Sequence, residues 1–155
     1  MAEVLHLFQS VARGGPVRES DQVYAVENKG LNGCLHGRKG SSRQVLLMDL
    51  ETLEYFGILP GQVKENITTG GFALAGLLPG QYVRLGHALL EVTKSCTPCY
   101  QMDEIRQGLR EAMRGRRGML CRVVESGWIR RGDQIEIVKD DASSKMEAKV
   151  HETAR

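Results

Sequence analysis

Cys96 and Cys99 form a Cys-x-x-Cys pair, which is the sequence feature with the clearest chemistry. Cys99 follows Thr97 and Pro98, which suit a helix cap and a first helical position. The free N–H groups at a helix start stabilise a thiolate, the form of cysteine that attacks, carries sulfur or binds a soft metal. We therefore select Cys99 as the candidate functional thiol and regard Cys96 as auxiliary.

Two other uses of the cysteines stay open. A Cys-x-x-Cys pair can act as a redox dithiol, although that motif usually belongs to a βαβ unit. Cys34 and His36, taken with the pair Cys96–Cys99, also supply four ligands that suit tetrahedral zinc. A zinc deaminase is excluded because Arg38 stands where a proton-carrying glutamate would follow His36. Cys121 lies in an apolar, strand-like run, which predicts a core residue.

Two polar segments accompany the thiols. Four glycines crowd the segment Gly30–Gly40, where backbone N–H groups can approach an anion and Arg43 can clamp it. The spacing fits neither a P-loop nor a Rossmann fingerprint. Glu65 and Asn66 interrupt apolar sequence and either line a pocket or cap a turn. We expect one pocket to collect the polar residues of both segments and the thiol, namely His36, Arg43, Glu65, Asn66 and Cys99.

The elements that must position these residues are mostly strands. The chain has 155 residues, of which 41% are hydrophobic and 26% charged, a composition typical of one globular domain. Short runs rich in Val, Ile and Leu between glycine turns indicate a barrel or a strongly bent sheet. The predicted strands are Val4–Val11, Gln22–Glu27, Gln44–Met48, Gln81–Leu85, Ala88–Thr93, Met119–Glu125 and Gln134–Val138.

Two helices are predicted. One covers Leu50–Phe56, and the other runs from about Cys99 to Arg114, with apolar residues on one face and Gly115 as its stop. The arginines from Arg106 to Arg117 are either a solvated face or a source of phosphate contacts. We expect a single domain over residues 1–138 and a polar, disordered tail over residues 139–155.

Charge and hydropathy narrow the class of protein. The chain carries 21 basic and 19 acidic residues, a net charge of +2, which argues against a general nucleic-acid binder. No apolar run reaches the length of a membrane span, and the N-terminus lacks the pattern of a secretory signal. We therefore expect a cytoplasmic protein with reduced thiols that associates with neither nucleic acid nor membrane.

Taken in order, these motifs resemble the MOSC domain, a family named for the C-terminal domain of molybdenum cofactor sulfurases. The match covers residues 14–138 and rests on the order and spacing of the motifs. The matching motifs are the glycine-rich loop with His36, Arg43-Gln44-Val45, Pro60-Gly61, Glu65-Asn66-Ile67, Leu77–Gly80, Pro98-Cys99 and Gly132-Asp133.

The resemblance implies a mainly β, α+β fold: a MOSC-like β-barrel with one or two short helices around a characteristic cysteine. That cysteine maps onto Cys99, and in the family it is proposed to carry sulfur as a persulfide or to ligate molybdenum. The bound group is then the molybdenum cofactor (molybdopterin), and relatives that bind it reduce N-hydroxylated compounds. The resemblance makes Cys99 the catalytic and metal-binding candidate, and the cofactor-binding candidates are His36, Arg43, Glu65, Asn66 and Thr97.

The chain departs from the family pattern at two positions. Lys64 stands where the family commonly has Gly, and Cys34 stands where it often has Asp. We find neither the N-terminal domain of the larger reductases nor a desulfurase domain with its pyridoxal phosphate lysine. We therefore expect a minimal, stand-alone form that obtains sulfur from a cysteine desulfurase or electrons from a reductase. The remaining alternative is a zinc- or thiol-binding module without catalysis.

Overall fold

The structure, a computed structural model, describes residues 2–138. The strands there are β1 (Glu3–Gln9), β2 (Arg18–Ser20), β3 (Gln22–Val26), β4 (Gly30–Leu31), β5 (Val45–Asp49), β6 (Ile67–Gly70), β7 (Tyr82–Leu85), β8 (Ala88–Ser95), β9 (Met119–Glu125), β10 (Gly127–Arg130) and β11 (Ile135–Val138). The helices are α1 (Leu50–Phe56), α2 (Tyr100–Ile105) and α3 (Leu109–Ala112), with a 3₁₀ turn at Leu74–Gly76. Within this part of the chain, no helix is long and apolar enough to cross a membrane.

Eight strands form one large sheet in the order β11-β7-β8-β9-β5-β6-β1-β2, and β10, β3 and β4 form a smaller one. β5 and β6 run parallel, with Leu47 opposite Ile67, whereas the other paired strands of residues 2–138 are antiparallel. The α+β fold expected from the sequence is confirmed.

The expected β-barrel is not closed, because the large sheet stays open between its two edges. β1 uses Leu7–Gln9 to pair with β2, so only its first residues can approach the opposite edge. There, Glu3 forms one isolated bridge with Gln134, and the Val4 N–H donates to the Asp133 carbonyl at 2.8 Å. The sheet is therefore strongly bent, and backbone hydrogen bonds join its two ends only between the start of β1 and the segment before β11.

Strand β5 lies inside the large sheet and is buried on both faces. Val45 and Leu47 face the main core between the sheets. On the other face, Met48 packs among residues of the three helices, and Leu46 packs with Cys96 and Leu120. The parallel-sheet neighbour and the continuous apolar sequence of β5 agree with this two-sided burial.

Each of the seven predicted strands is confirmed to within two residues, and α1 is confirmed at both ends. Cys121 is a buried residue of β9, as predicted. Four strands were not predicted, namely β2, β4, β6 and β10, because they are short or contain glycine and polar residues. The predicted tail over residues 139–155 lies outside the described residues.

The second predicted helix is wrong as one continuous element. It is divided into α2 and α3, and Gly108, with a φ of 87°, caps the start of α3. An isolated glycine within a helical pattern is a weak break signal, so apolar periodicity alone did not indicate this one.

Gly118 lies at a point where two stretches of backbone approach each other closely. Its φ is 111°, its carbonyl accepts from the Cys96 N–H at 2.8 Å, and a Cβ here would lie 2.4 Å from the Leu47 carbonyl oxygen. We expect Gly118→Ala to lower the free energy of unfolding by about 3 kcal/mol or more, because backbone must move.

The matched control is Gly115→Ala, which has a φ of 79° but open space around the added Cβ. This variant should lower the free energy of unfolding by only about 1–2 kcal/mol, because alanine is strained in the left-handed conformation but meets no neighbouring atom. Urea unfolding of both variants measures the difference, and equal losses would contradict the close approach at Gly118.

Candidate functional site

A cavity of about 750 Å³ opens where five segments of the chain meet. These are the segment after β1, the loop between β4 and β5, the turn before β6, the connection between β8 and α2, and the segment that leads into β9. This volume lies within the usual range of small-molecule sites. The residues that line the cavity include Ser10, Arg13, His36, Arg38, Arg43, Leu46, Lys64, Asn66, Cys96, Thr97, Cys99, Gln101, Arg117 and Leu120.

The structure brings together five of the six site residues expected from the sequence. His36, Arg43, Asn66, Thr97 and Cys99 line the cavity, and the auxiliary thiol of Cys96 joins them. Residues far apart in the sequence therefore line one cavity.

Glu65 is the exception and corrects the expectation that its carboxylate faces a ligand. The residue is fully buried, and it is not among the residues that line the cavity. Its Oε2 accepts from the Gly61 N–H at 3.0 Å and from the Thr68 hydroxyl at 2.7 Å. Glu65 thus fastens the turn before β6 to β6 itself, as a turn cap would.

Asn66 lines the cavity, but its side chain is already occupied by structural bonds. Its Oδ1 accepts from the Leu46 N–H at 2.8 Å, and its Nδ2 donates to the Phe8 carbonyl at 3.3 Å and to the Cys34 Sγ at 3.4 Å. The Asn66 N–H in turn donates to the Leu46 carbonyl at 2.9 Å. Asn66 therefore holds β5, β1 and the glycine-rich loop in register around the cavity.

Cys99 stands one position before the helix rather than in its first turn. It is the N-cap of α2, with extended backbone and no side-chain capping bond, and its Sγ lies 3.7 Å from the Gln101 Oε1. The prediction that Thr97 caps the helix and Pro98 opens it is therefore wrong. Cys99 is half-buried, whereas Cys34, Cys96 and Cys121 are buried and free.

The four cysteines do not gather into a metal site. Within residues 2–138, no group of three or more His, Cys, Asp or Glu side chains is placed to hold a metal ion. Cys34 turns inward, where its Sγ accepts from the Ser10 N–H at 3.4 Å as well as from Asn66. The tetrahedral zinc alternative from Cys34, His36, Cys96 and Cys99 is therefore wrong.

The cavity wall is strongly positive. Five cationic side chains line it, and no Asp or Glu is among the described lining residues: Arg13, Arg38, Arg43, Lys64 and Arg117. Burial, and to a lesser degree the charge of Lys64, lower the pKa of His36, so its imidazole is neutral at neutral pH. The wall thus combines fixed positive charge, a neutral imidazole and a half-buried thiol.

A family model described as the MOSC domain matches residues 36–136. The match includes all six site residues expected from the sequence, from His36 at its start to Cys99. The chain belongs to the MOSC domain family.

Solved structures show the same fold. The YuaD protein from Bacillus subtilis superposes with a TM-score of 0.76 at 20% identity, over 88% of this chain and 96% of that one. YiiM from Geobacillus stearothermophilus superposes with a TM-score of 0.72 at 16% identity, over 90% of this chain and 76% of that one. YiiM from Escherichia coli superposes with a TM-score of 0.68 at 21% identity, over 90% of this chain and 70% of that one. At these identities the likeness shows the fold alone. A comparison with curated proteins finds no match.

In this MOSC domain, Arg117 lines the cavity, whereas the sequence analysis had it only as one of several arginines that are either a solvated face or a source of phosphate contacts. It is only 6% exposed, and its Nη2 donates to the Val63 carbonyl at 2.6 Å. Its Nε and Nη1 are buried and lack a hydrogen-bond partner within the described structure. A buried guanidinium without a counter-charge is costly, and a bound anion would relieve that cost.

The neighbouring arginines explain why Arg117 was hard to recognise. Arg106 donates to the Phe56 carbonyl at 2.7 Å, Arg116 stacks 4.8 Å over the Tyr55 ring, and Arg114 pairs with an exposed glutamate. The side chains of these three arginines therefore contact α1 or other residues of the helical region. In the sequence, Arg117 is distinguished from these other arginines only by its position between Gly115 and the apolar start of β9.

The thiols should differ in reactivity in the native MOSC domain. We expect iodoacetamide to label Cys99 first, because it is half-buried at the cavity, and to label Cys121 only after unfolding. Burial, with the nearby Glu91 charge, raises the pKa of the Cys121 thiol, which removes its thiolate. Timed labelling with peptide mass analysis measures the order.

The Cys99→Ser variant is the control, since its remaining thiols should label slowly. Faster labelling of Cys96 than of Cys99 in the wild-type protein would contradict the choice of Cys99 as the accessible thiol.

Asn66 should behave as a structural residue. We expect Asn66→Ala to lower the free energy of unfolding by about 1–3 kcal/mol, because the Leu46 N–H loses its acceptor in a buried position. Asn32→Ala, at an exposed position outside the cavity, is the matched control and should change stability little. Equal effects in a denaturant titration would show that the Asn66 bonds do not hold the strands together.

Proposed function

We propose that this MOSC domain binds the molybdenum cofactor in the cavity, with Cys99 as the residue that would hold the metal. The observation that carries the proposal is the joint presence, in one wall, of a half-buried thiol and positive charge without acidic residues among the described lining residues. A thiolate is a soft ligand of the kind such a metal accepts, and arginine suits the phosphate of a pterin cofactor.

The residues present fit this group in three respects. The cavity volume of about 750 Å³ suits a small organic cofactor. The open donors of Arg117 are the unpaired buried atoms that a phosphate would satisfy. Leu46, Cys96 and Leu120 form an apolar patch in the same wall, against which a flat ring system can pack.

The other lining residues would act according to their exposure and side-chain chemistry. Arg43 and Arg38 stand at the exposed rim and would attract an anion from solution. Neutral His36 can donate or accept one hydrogen bond, and the Thr97 hydroxyl next to Cys99 offers another. When bound, the cofactor would supply two-electron redox chemistry at molybdenum, while the chain binds, orients and shields it.

Sulfur carriage is a second candidate function, favoured by the second thiol of Cys96 at the same cavity. A persulfide on Cys99 would give its outer sulfur to an acceptor nucleophile. The S–S bond breaks, the new bond forms between acceptor and sulfur, and Cys99 leaves as a thiolate, so no oxidant or reductant is needed. The sulfur donor would be a cysteine desulfurase, as the family resemblance implies.

The metal and pterin content of protein from a molybdenum-replete host separates these functions. We expect molybdenum and pterin at amounts equimolar with the chain, and we expect Cys99→Ser to lose the metal because oxygen is a poor substitute for the soft sulfur ligand. Cys121→Ser is the matched control. It should cost about 1–3 kcal/mol of stability by burying a hydroxyl, yet retain the metal.

The other outcomes are equally informative. Wild-type metal content in a folded Cys99→Ser variant would contradict the ligand assignment. Absence of cofactor together with a persulfide on Cys99 would favour the carrier. If cofactor is bound, reduction of an N-hydroxylated compound with a reductase partner tests the enzymatic alternative. Absence of cofactor and persulfide would reject both functions.

A further inference from the structure

The Cys99 thiol is open to the cavity and holds no part of the fold together. It is half-buried, whereas the other three cysteines are buried, and it makes no capping bond to α2. Its Sγ lies 3.7 Å from the side-chain Oε1 of Gln101, which lines the same cavity. The Cys99 sulfur can therefore meet a small molecule without any rearrangement of structural bonds.

Backbone bonds place the segment that carries Arg117 against the segment that carries the thiols. The Cys96 N–H donates to the Gly118 carbonyl at 2.8 Å, and Ser95 of β8 pairs with the first residue of β9. Arg117 directly precedes Gly118, and Cys99 follows Cys96 by three positions. The guanidinium and the thiol therefore come to the same cavity from adjoining segments.

Arg117 independently indicates that the ligand of this cavity is an anion. The residue is only 6% exposed, and its Nε and Nη1 have no hydrogen-bond partner within the described structure. It forms no ion pair with a carboxylate of the described chain. A buried cation without a counter-charge is stabilised when an anion binds beside it. A reactant of the Cys99 thiol is therefore favoured if it carries negative charge.

We propose that Cys99 takes sulfur directly from a small oxyanion that carries a sulfane sulfur, of which thiosulfate is the simplest. This inference rests on the second candidate function, sulfur carriage, and names a donor other than a cysteine desulfurase. The oxyanion end of the donor supplies the counter-charge that Arg117 lacks. The sulfane sulfur at the other end reacts with the thiol.

The transfer balances without an oxidant or a reductant. The Cys99 thiol gives its proton to water, and the thiolate attacks the sulfane sulfur. A new S–S bond forms on Cys99, the S–S bond of thiosulfate breaks, and its electron pair leaves with sulfite. The side-chain amide of Gln101 can then donate a hydrogen bond to the outer sulfur of the persulfide.

The experiment incubates the full chain, purified without added molybdenum, with thiosulfate. It measures sulfite in solution and the persulfide on Cys99 by peptide mass analysis. Wild-type protein should gain one sulfur atom on Cys99 and release an equal amount of sulfite, and Cys99→Ser should do neither.

The Arg117→Met variant tests the role of the buried charge. It should slow transfer from thiosulfate about tenfold, because the anion is no longer attracted, while labelling of Cys99 by uncharged iodoacetamide stays the same. Methionine is also a long side chain, and it removes an unpaired buried charge, so the variant should fold. Arg116→Met, at an exposed arginine outside the cavity, is the matched control and should keep the wild-type transfer rate.

A competition measurement needs no variant. At constant ionic strength, excess sulfate should slow transfer from thiosulfate to the wild-type protein and leave iodoacetamide labelling unchanged. The inference is overturned if sulfate does not compete, if Arg117→Met transfers sulfur at the wild-type rate, or if the wild-type protein takes no sulfur from thiosulfate.

A parallel incubation with a cysteine desulfurase and cysteine separates this inference from the function on which it rests. A persulfide on Cys99 from the desulfurase but not from thiosulfate overturns the donor proposed here and leaves sulfur carriage standing. A persulfide from neither source overturns both.

Discussion

The cavity exists because the side-chain amide of Asn66 bonds to three separate stretches of backbone and loop. Through Leu46 it continues the pairing of β5 and β6 beyond their ladder, through Phe8 it holds the end of β1, and through Cys34 it holds the glycine-rich loop. Each of these bonds is buried, so each is worth more than an exposed one and is costly to leave unmade. Strand β5, the end of β1 and the glycine-rich loop that carries His36 are therefore fixed relative to one another.

Burial of Arg117 shows how a site of this kind is kept positive. A guanidinium that loses water and gains a single carbonyl partner is an unfavourable contribution to stability. A glutamate beside it would improve the fold but would neutralise the cavity. Glu65 is near in sequence to the Val63 carbonyl, yet its Oε2 is bonded to Gly61 and Thr68 and it forms no ion pair with a described cation. Glu65 thus holds the turn before β6 and does not offset the charge of Arg117.

Much of the fold was predictable from the sequence, because its strands are apolar runs between glycine turns. The strand Met119–Glu125 and the helix Leu50–Phe56 were found for that reason. The break at Gly108 and the opening of the sheet were not, because both depend on how distant elements meet. In the site, Cys99 was recognisable by its motif, whereas the polar pair Glu65 and Asn66 looks the same in sequence whether it binds a ligand or the backbone. Only tertiary contacts distinguish these roles.

The net charge of the chain also gave no indication of the positive charge at the cavity. The chain has a net charge of +2, which argues against a general nucleic-acid binder and gives no sign of a local positive site. Five of its 21 basic residues nevertheless line one cavity, so the rest of the chain carries fewer basic than acidic residues. Positive charge is thus concentrated at the cavity, and low-dielectric walls strengthen its effect there. Such a concentration of charge favours the binding of a small anion in the cavity that the Cys99 thiol lines, over binding at an isolated surface cation.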